Sequence, residues 1–273
     1  MLNIGIRAHD LGKSSAKELV NKVRLLGFDG VQLVLKKALL SEVTIENILE
    51  LKKDFKKTSI FMLGAYFNMI HPDIKVCLEG SNYFKKMIDY ASFLNVGYVA
   101  SETGSLSVVG QSYHIDNSKE IYLNQVIEIT KELVEYAKAK NVTVLLEGAY
   151  AHVARFPSTL KYIIDEVNSS NLDVVVDIYN YLNLDNYNNY LCVFIECLDL
   201  FMDRIKILHL KNFVLEDNKL VQVGLDKGII DYNLLLKEVL KRDLHPILIF
   251  EGVVGDDIKS SLKYIKKILE GLK

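Results

Sequence analysis

The chain has 273 residues, half of them apolar, enough for one large domain with its own core. Its 33 basic and 35 acidic residues are interspersed and leave a formal charge of -2, so the basic footprint of a nucleic-acid binder is missing. Three cysteines (Cys77, Cys192, Cys197) without a Cys-x-x-Cys pair argue against a disulfide framework or a thiolate zinc site, and no run approaches the roughly 20 apolar residues of a membrane span.

Met1 leads straight into the apolar run Asn3 to Arg7 with no leader pattern, so a cytoplasmic location is expected. In chain order, eight short apolar runs predict strands at about 3–8, 30–35, 60–67, 97–102, 142–147, 173–178, 205–210 and 246–251, separated by stretches of helical period. Ser15 with Glu18 forms a capping box ahead of Leu19, Val23 and Leu26. Asp231 precedes Leu234, Leu235, Val239 and Leu240 as a helix cap, and Ile258, Leu262, Ile265 and Leu269 mark a last helix. The first strand-to-helix turn, Ala8 to Lys13, lacks the Gly-x-Gly-x-x-Gly fingerprint, so dinucleotide binding has no support. Eight regular units without a linker predict an α/β fold, a single (β/α)8 TIM barrel spanning residues 1–273. Two loops are expected at its mouth: the Tyr- and Asn-rich stretch Tyr179 to Tyr190, and the long connection Phe213 to Gly228.

Four polar residues close four consecutive strands: Glu147, Asp177, His209 and Glu251, each about one strand-plus-helix unit after the last. Alternation puts Thr143, Leu145 and Glu147 on one face, as it does Asp173, Val175 and Asp177, then Ile207 and His209, then Ile249 and Glu251. In a barrel these ends meet on one rim. Three carboxylates gathered there repel one another unless a cation joins them, and oxygen-rich donors with one imidazole suit Mn2+ first, with Mg2+, Co2+ or Zn2+ also compatible. Singly, each residue also fits a helix cap or a solvated loop position.

The segments Leu146-Glu147-Gly148, Val176-Asp177-Ile178-Tyr179-Asn180, Leu208-His209-Leu210-Lys211-Asn212 and Phe250-Glu251-Gly252 resemble the metal-binding strand ends of the sugar phosphate isomerase/epimerase family, the xylose-isomerase-like TIM barrels. Further matching pieces are Gly27 to Val31, Asn68 to Asp73, Glu102-Thr103-Gly104 and Gly224 to Asp231. The resemblance implies that the quartet binds one divalent ion and that Glu147 and Glu251 are also the acid and base of an isomerase or epimerase. Its substrate would be a sugar, an inosose or a related hydroxy-carbonyl compound. Such chemistry removes a proton beside a polarised carbonyl and returns it to the same or the neighbouring carbon.

Lys211 shares the face of His209 and could neutralise an enediolate or bind a substrate oxygen, though a plain rim lysine fits the same position. Asn180 could hydrogen-bond substrate. His152 and Arg155 follow Glu147 within one loop, where a cation could hold an anionic group or simply be solvated. Asn68 and His71 follow strand three at the mouth, and His9 follows strand one. The expected partner is a small carbohydrate-like molecule, with no nucleic acid or membrane involved and room for a homo-oligomer. Two alternatives stand beside this reading. An apurinic-site endonuclease-like metal phosphodiesterase would need a histidine three residues after Asp177, where this chain has Asn180. The other alternative is a non-catalytic sugar-binding barrel.

Overall fold

Met62, Ala100, Leu145, Val175, Ile207 and Ile249 come from six different strands and pack into one apolar cluster, because together they line the inside of a closed barrel. The computed structural model describes residues 2–109 and 112–272. Its barrel strands are β1 (Ile4–Arg7), β2 (Gly30–Leu33), β3 (Ser59–Gly64), β4 (Tyr98–Glu102), β5 (Thr143–Glu147), β6 (Leu172–Asp177), β7 (Ile205–Leu210) and, after a separate hairpin of β8 (Asn212–Glu216) and β9 (Lys219–Val223), β10 (Ile247–Phe250). The barrel closes in the order β1-β10-β7-β6-β5-β4-β3-β2, with neighbours parallel throughout. Parallel neighbours require crossovers, and the helical stretches between the runs supply them.

Helix starts follow their local chemistry. Ser15 and Glu18 form the expected capping box before Ala16–Leu26, and Asp231 accepts from the backbone N–H groups of Asn233 and Leu234 before Tyr232–Lys241. The outward strand faces, such as Val144, Leu146, Val174 and Val176, join the larger core between barrel and helices. That leaves each strand buried on both sides, which explains its almost continuous apolar run.

Strands two and three are shorter than their apolar runs. After Leu33 the chain turns into a short helix, Leu35–Ala38, and β3 ends at Gly64 although the run continues to Phe67. The connection Phe213 to Gly228, expected as a loop, is largely the β8–β9 hairpin. Asp217 and Asn218 both adopt positive φ (47° and 54°) at its tip, the conformation a tight two-residue hairpin turn needs. The Tyr/Asn stretch is partly helical, at Ile178–Tyr181, and packs on this hairpin: Tyr179 donates its hydroxyl to the Leu220 carbonyl, and Phe213 contacts both Tyr179 and Tyr187. No helix among the described residues is long and apolar enough to cross a membrane.

Candidate active site

Two residues beyond the apolar layer, on the same inward faces, the lining turns polar: Leu145 gives way to Glu147, Val175 to Asp177, Ile207 to His209, Ile249 to Glu251 and Ala100 to Glu102. Glu147, Asp177, His209 and Glu251 are all buried. Their donors meet at one imidazole nitrogen, since His209 Nδ1 lies 3.0 Å from Glu251 Oε2, 3.4 Å from Glu147 Oε1 and 3.8 Å from Asp177 Oδ2. Two donors that each sit about 2.1 Å from one ion are themselves roughly 3 to 4.3 Å apart, so these separations fit a single-ion site. The donor atoms that all lie within 4.8 Å of one another are those of Glu147, Asp177 and His209; Glu251 stands outside that group and meets it through its 3.0 Å contact with His209. The donor set of three carboxylates and one imidazole suits a hard or borderline divalent cation.

The far side of the His209 ring is fixed by Gln32 of β2, whose side-chain oxygen is 2.7 Å from Nε2, while the Gln32 amide donates to the Tyr66 hydroxyl. With Nε2–H donated to Gln32, the Nδ1 side of the ring faces the carboxylates, and loss of the Nδ1 proton would leave a lone pair aimed at the space that they share. Arg7 at the end of β1 donates to Glu251 Oε1 at 2.7 Å and pairs with Asp10, which in turn accepts from the Gly252 N–H. Gly252 has φ +74°, and a side chain there would strike Gln222 of the hairpin, so glycine lets the chain leave Glu251 under that cover. Lys211 reaches back over the cluster, 2.7 Å from both Asp177 Oδ2 and Glu251 Oε1, and donates to Asn180. The Asn180 amide donates to Glu147 Oε1 at 2.6 Å.

A family model for the xylose isomerase-like TIM barrel matches residues 20–268. The chain belongs to that family. No curated protein matches the sequence. Among solved structures, a xylose isomerase-like TIM barrel protein from Mycobacterium smegmatis in complex with magnesium superposes with a TM-score of 0.76 at 16% identity, over 99% of this chain and 97% of that one. The 3-keto-D-glucoside 4-epimerase of E. coli gives 0.75 at 13% identity, over 99% and 100%. A probable 3-DHS dehydratase from Bacillus anthracis gives 0.70 at 18% identity, over 98% and 99%. At these identities the likeness is one of fold, and one fold can host more than one reaction.

Burial and charge work against each other in this member of the family. Burial pushes the Glu102 carboxyl up to about 7 and Asp177 up to about 6, with Lys211 pulling both down. Burial also acts to raise Glu251, but Lys211, His209 and Arg7 hold it well below the usual carboxylate range. Burial alone would lower His209, yet Glu251 and Glu147 carry it up to about 10. The free cluster is thus neutralised by an imidazolium, a guanidinium and an ammonium, a positive charge that a divalent ion would share or take over.

The structure brings Lys211 and Asn180 into direct contact with the quartet and places the other candidates around it. His152 and Arg155 line a separate cavity of about 230 Å³ beside the β5 loop. Asn68 and His71 border a cavity of about 540 Å³ that also reaches Tyr66. The side chain of Asn68 is engaged there as a brace, donating to the Ser105 carbonyl and accepting from Ile70 and Ser105 N–H groups. His71 Nδ1 accepts from the Asp73 N–H, and His9 lies on a 3-10 turn after β1 with a buried Nδ1 that has no partner. Arg7, Gln32 and Tyr66 were not expected at the site, and Glu102 was expected only as part of the matching segment Glu102-Thr103-Gly104. For three of them the signal was present, because Arg7, Gln32 and Glu102 stand at or near the ends of β1, β2 and β4.

Proposed function

We propose that this chain is a divalent-metal-dependent isomerase or epimerase acting on a sugar, an inosose or a related hydroxy-carbonyl compound. The observation that carries the reading is the convergence of Glu251, Glu147 and Asp177 on His209 Nδ1 at separations suited to one ion. Glu147, Asp177, His209 and Glu251 would hold the metal, Mn2+ by preference. When bound, it would polarise a carbonyl and stabilise an enediolate.

The chain's own groups would then move the proton. Glu147 and Glu251 border the same imidazole from different strands, so one could take the proton from the carbon beside the carbonyl and the other return it. Return to the opposite face of that carbon epimerises, and return to its neighbour isomerises. The Lys211 ammonium, already shared by two carboxylates, could pair with the developing oxyanion. Asn180 would orient Glu147 and a substrate hydroxyl. Asn68 and His71 would shape the opening on the β3 side, and His152 and Arg155 the opening on the β5 side. A three-metal phosphodiesterase gains no support, because Asn180 fills the position where an extra imidazole would stand, and its amide is used by Glu147 and Lys211.

The test is to incubate the Mn2+-loaded protein in deuterated water with ketoses, aldoses and inososes and to follow deuterium incorporation at carbon. Incorporation next to a carbonyl is expected with at least one class. No incorporation across the panel, together with cleavage of an abasic duplex, would replace this reading with the nuclease.

A further inference from the structure

The loop that begins at Glu147 runs to Arg155 and, with the segment Tyr113 to Ser118, lines a second pocket. Tyr113, Asn117, Ser118, His152, Arg155 and Phe156 line this cavity of about 230 Å³, next to the helix Pro157–Val167. His152 is only 5% exposed, and its Nδ1 has no hydrogen-bond partner. Nε of Arg155 is also buried without one. The guanidinium lies over Tyr150 and Tyr113, at 4.2 and 4.3 Å from the ring centroids, which fixes its position without neutralising its charge. Arg7, Arg204 and Arg242 each pair with a carboxylate, whereas Arg155 pairs with none among the described residues.

The walls of the pocket are tied down. Asn117 donates to the Ala151 carbonyl and to Ser105 Oγ and accepts from the Leu106 N–H, so the segment after β4 is stapled to the loop after β5. The Ala154 N–H is taken by Thr103 Oγ1 and the His152 N–H by the Ala149 carbonyl. Buried polar groups normally find partners, and a guanidinium's fork matches the oxygens of phosphate or carboxylate. The volume is below the roughly 300 Å³ at which pockets begin to take whole ligands, so it suits an end group.

From these observations we infer that the Arg155–His152 pocket is an oxyanion subsite that takes the phosphate or carboxylate end of the substrate. The inference rests on the proposed isomerase or epimerase reading for what the rest of that substrate is. Glu147 stands at the other end of the same short loop and its charge acts on the His152 imidazole, so an occupant anchored at Arg155 sits in the neighbourhood of the proton-transfer groups. The class of substrate is thereby narrowed from any hydroxy-carbonyl compound to an anionic one, a sugar phosphate or a sugar acid.

Binding can be read without turnover. The Mg2+-loaded full chain, labelled with 15N-histidine, is titrated with inorganic phosphate and separately with glycerate, and the His152 ring nitrogens are followed by NMR. A saturable shift of His152 with at least one anion is expected, weakened about 10- to 100-fold in Arg155→Met, the usual worth of one charged hydrogen bond. Arg155→Lys, which retains the charge and the aromatic contact, should weaken it less and serves if the Met variant does not fold. The anion that binds more tightly identifies the end group. No saturable shift with either anion up to about 50 mM, or an unchanged shift in both variants, overturns the subsite. In the deuterium assay, Arg155→Lys should raise KM for an anionic substrate with little change in kcat. Anion binding without deuterium incorporation would leave the pocket standing and remove the isomerase reading; incorporation without anion binding would do the reverse.

Discussion

The two halves of the barrel rim meet at the same cluster but bring opposite things to it. Strands β5, β6 and β7 and the end of β10 carry Glu147, Asp177, His209 and Glu251, a set that is anionic and rich in donors. Strands β1 and β2 bring Arg7, which grips Glu251, and Gln32, which orients His209. The first set is what a metal would need, and the second keeps that set in place and neutral enough to be buried. A ligand quartet at strand ends is therefore only half of such a site.

The largest effect should come from the donor half. Glu147→Gln and Glu251→Gln keep the shape of the side chain but remove its ability to carry a proton. Each is expected to slow deuterium incorporation by about 10²- to 10⁴-fold, the usual contribution of a general acid or base. Less than a tenfold loss in both would detach the glutamates from the chemistry.

Next is Lys211→Met, which leaves Asp177 and Glu251 without their shared ammonium. The metal-free protein should lose about 3–5 kcal/mol of stability in urea, as breaking a buried ion pair does. Added Mn2+ should recover part of that loss. An unchanged urea midpoint would mean that Arg7 and His209 suffice.

His152 tests the region beside the cluster. Burial lowers its pKa from 6.5 to about 4, so the folded state resists protonation while the unfolded chain accepts it. Stability should be fully present above pH 6.5 and fall as the pH drops toward 4, costing about 3 kcal/mol. His152→Leu should remove that part of the acid-side loss. Equal pH profiles for the two proteins would contradict a neutral buried imidazole.

The smallest effect belongs to the orienting half. Gln32→Leu should weaken divalent-metal binding by calorimetry about 10- to 100-fold, in line with other groups that hold a ligating histidine. Wild-type affinity in that variant would make Gln32 a packing residue only.

The barrel was legible because most strand positions are buried on both faces and read as almost continuous apolar runs, and because caps such as Ser15 and Asp231 mark where helices begin. The approach of the quartet followed from alternation together with barrel closure: each of its members stands two residues beyond an inward apolar side chain, on consecutive strands of one rim. Arg7, Gln32 and Glu102 occupy equivalent places, but they lie among residue types that also end strands for ordinary reasons. Only the contacts Arg7–Glu251 and Gln32–His209 distinguish them, and those partners are far apart in sequence. The hairpin was hidden for a different reason. Its turn, Asp217-Asn218, lacks the glycine that usually signals such turns, and β9 is mostly exposed, with little apolar pattern to read.

The central claim is that the quartet seats one ion. Crystals soaked in Mn2+ and measured at the manganese edge test it directly. The account predicts one anomalous peak per chain, with Glu147, Asp177, His209 and Glu251 all at about 2.0–2.3 Å. A cluster of three peaks, or no peak among those four side chains, would contradict it.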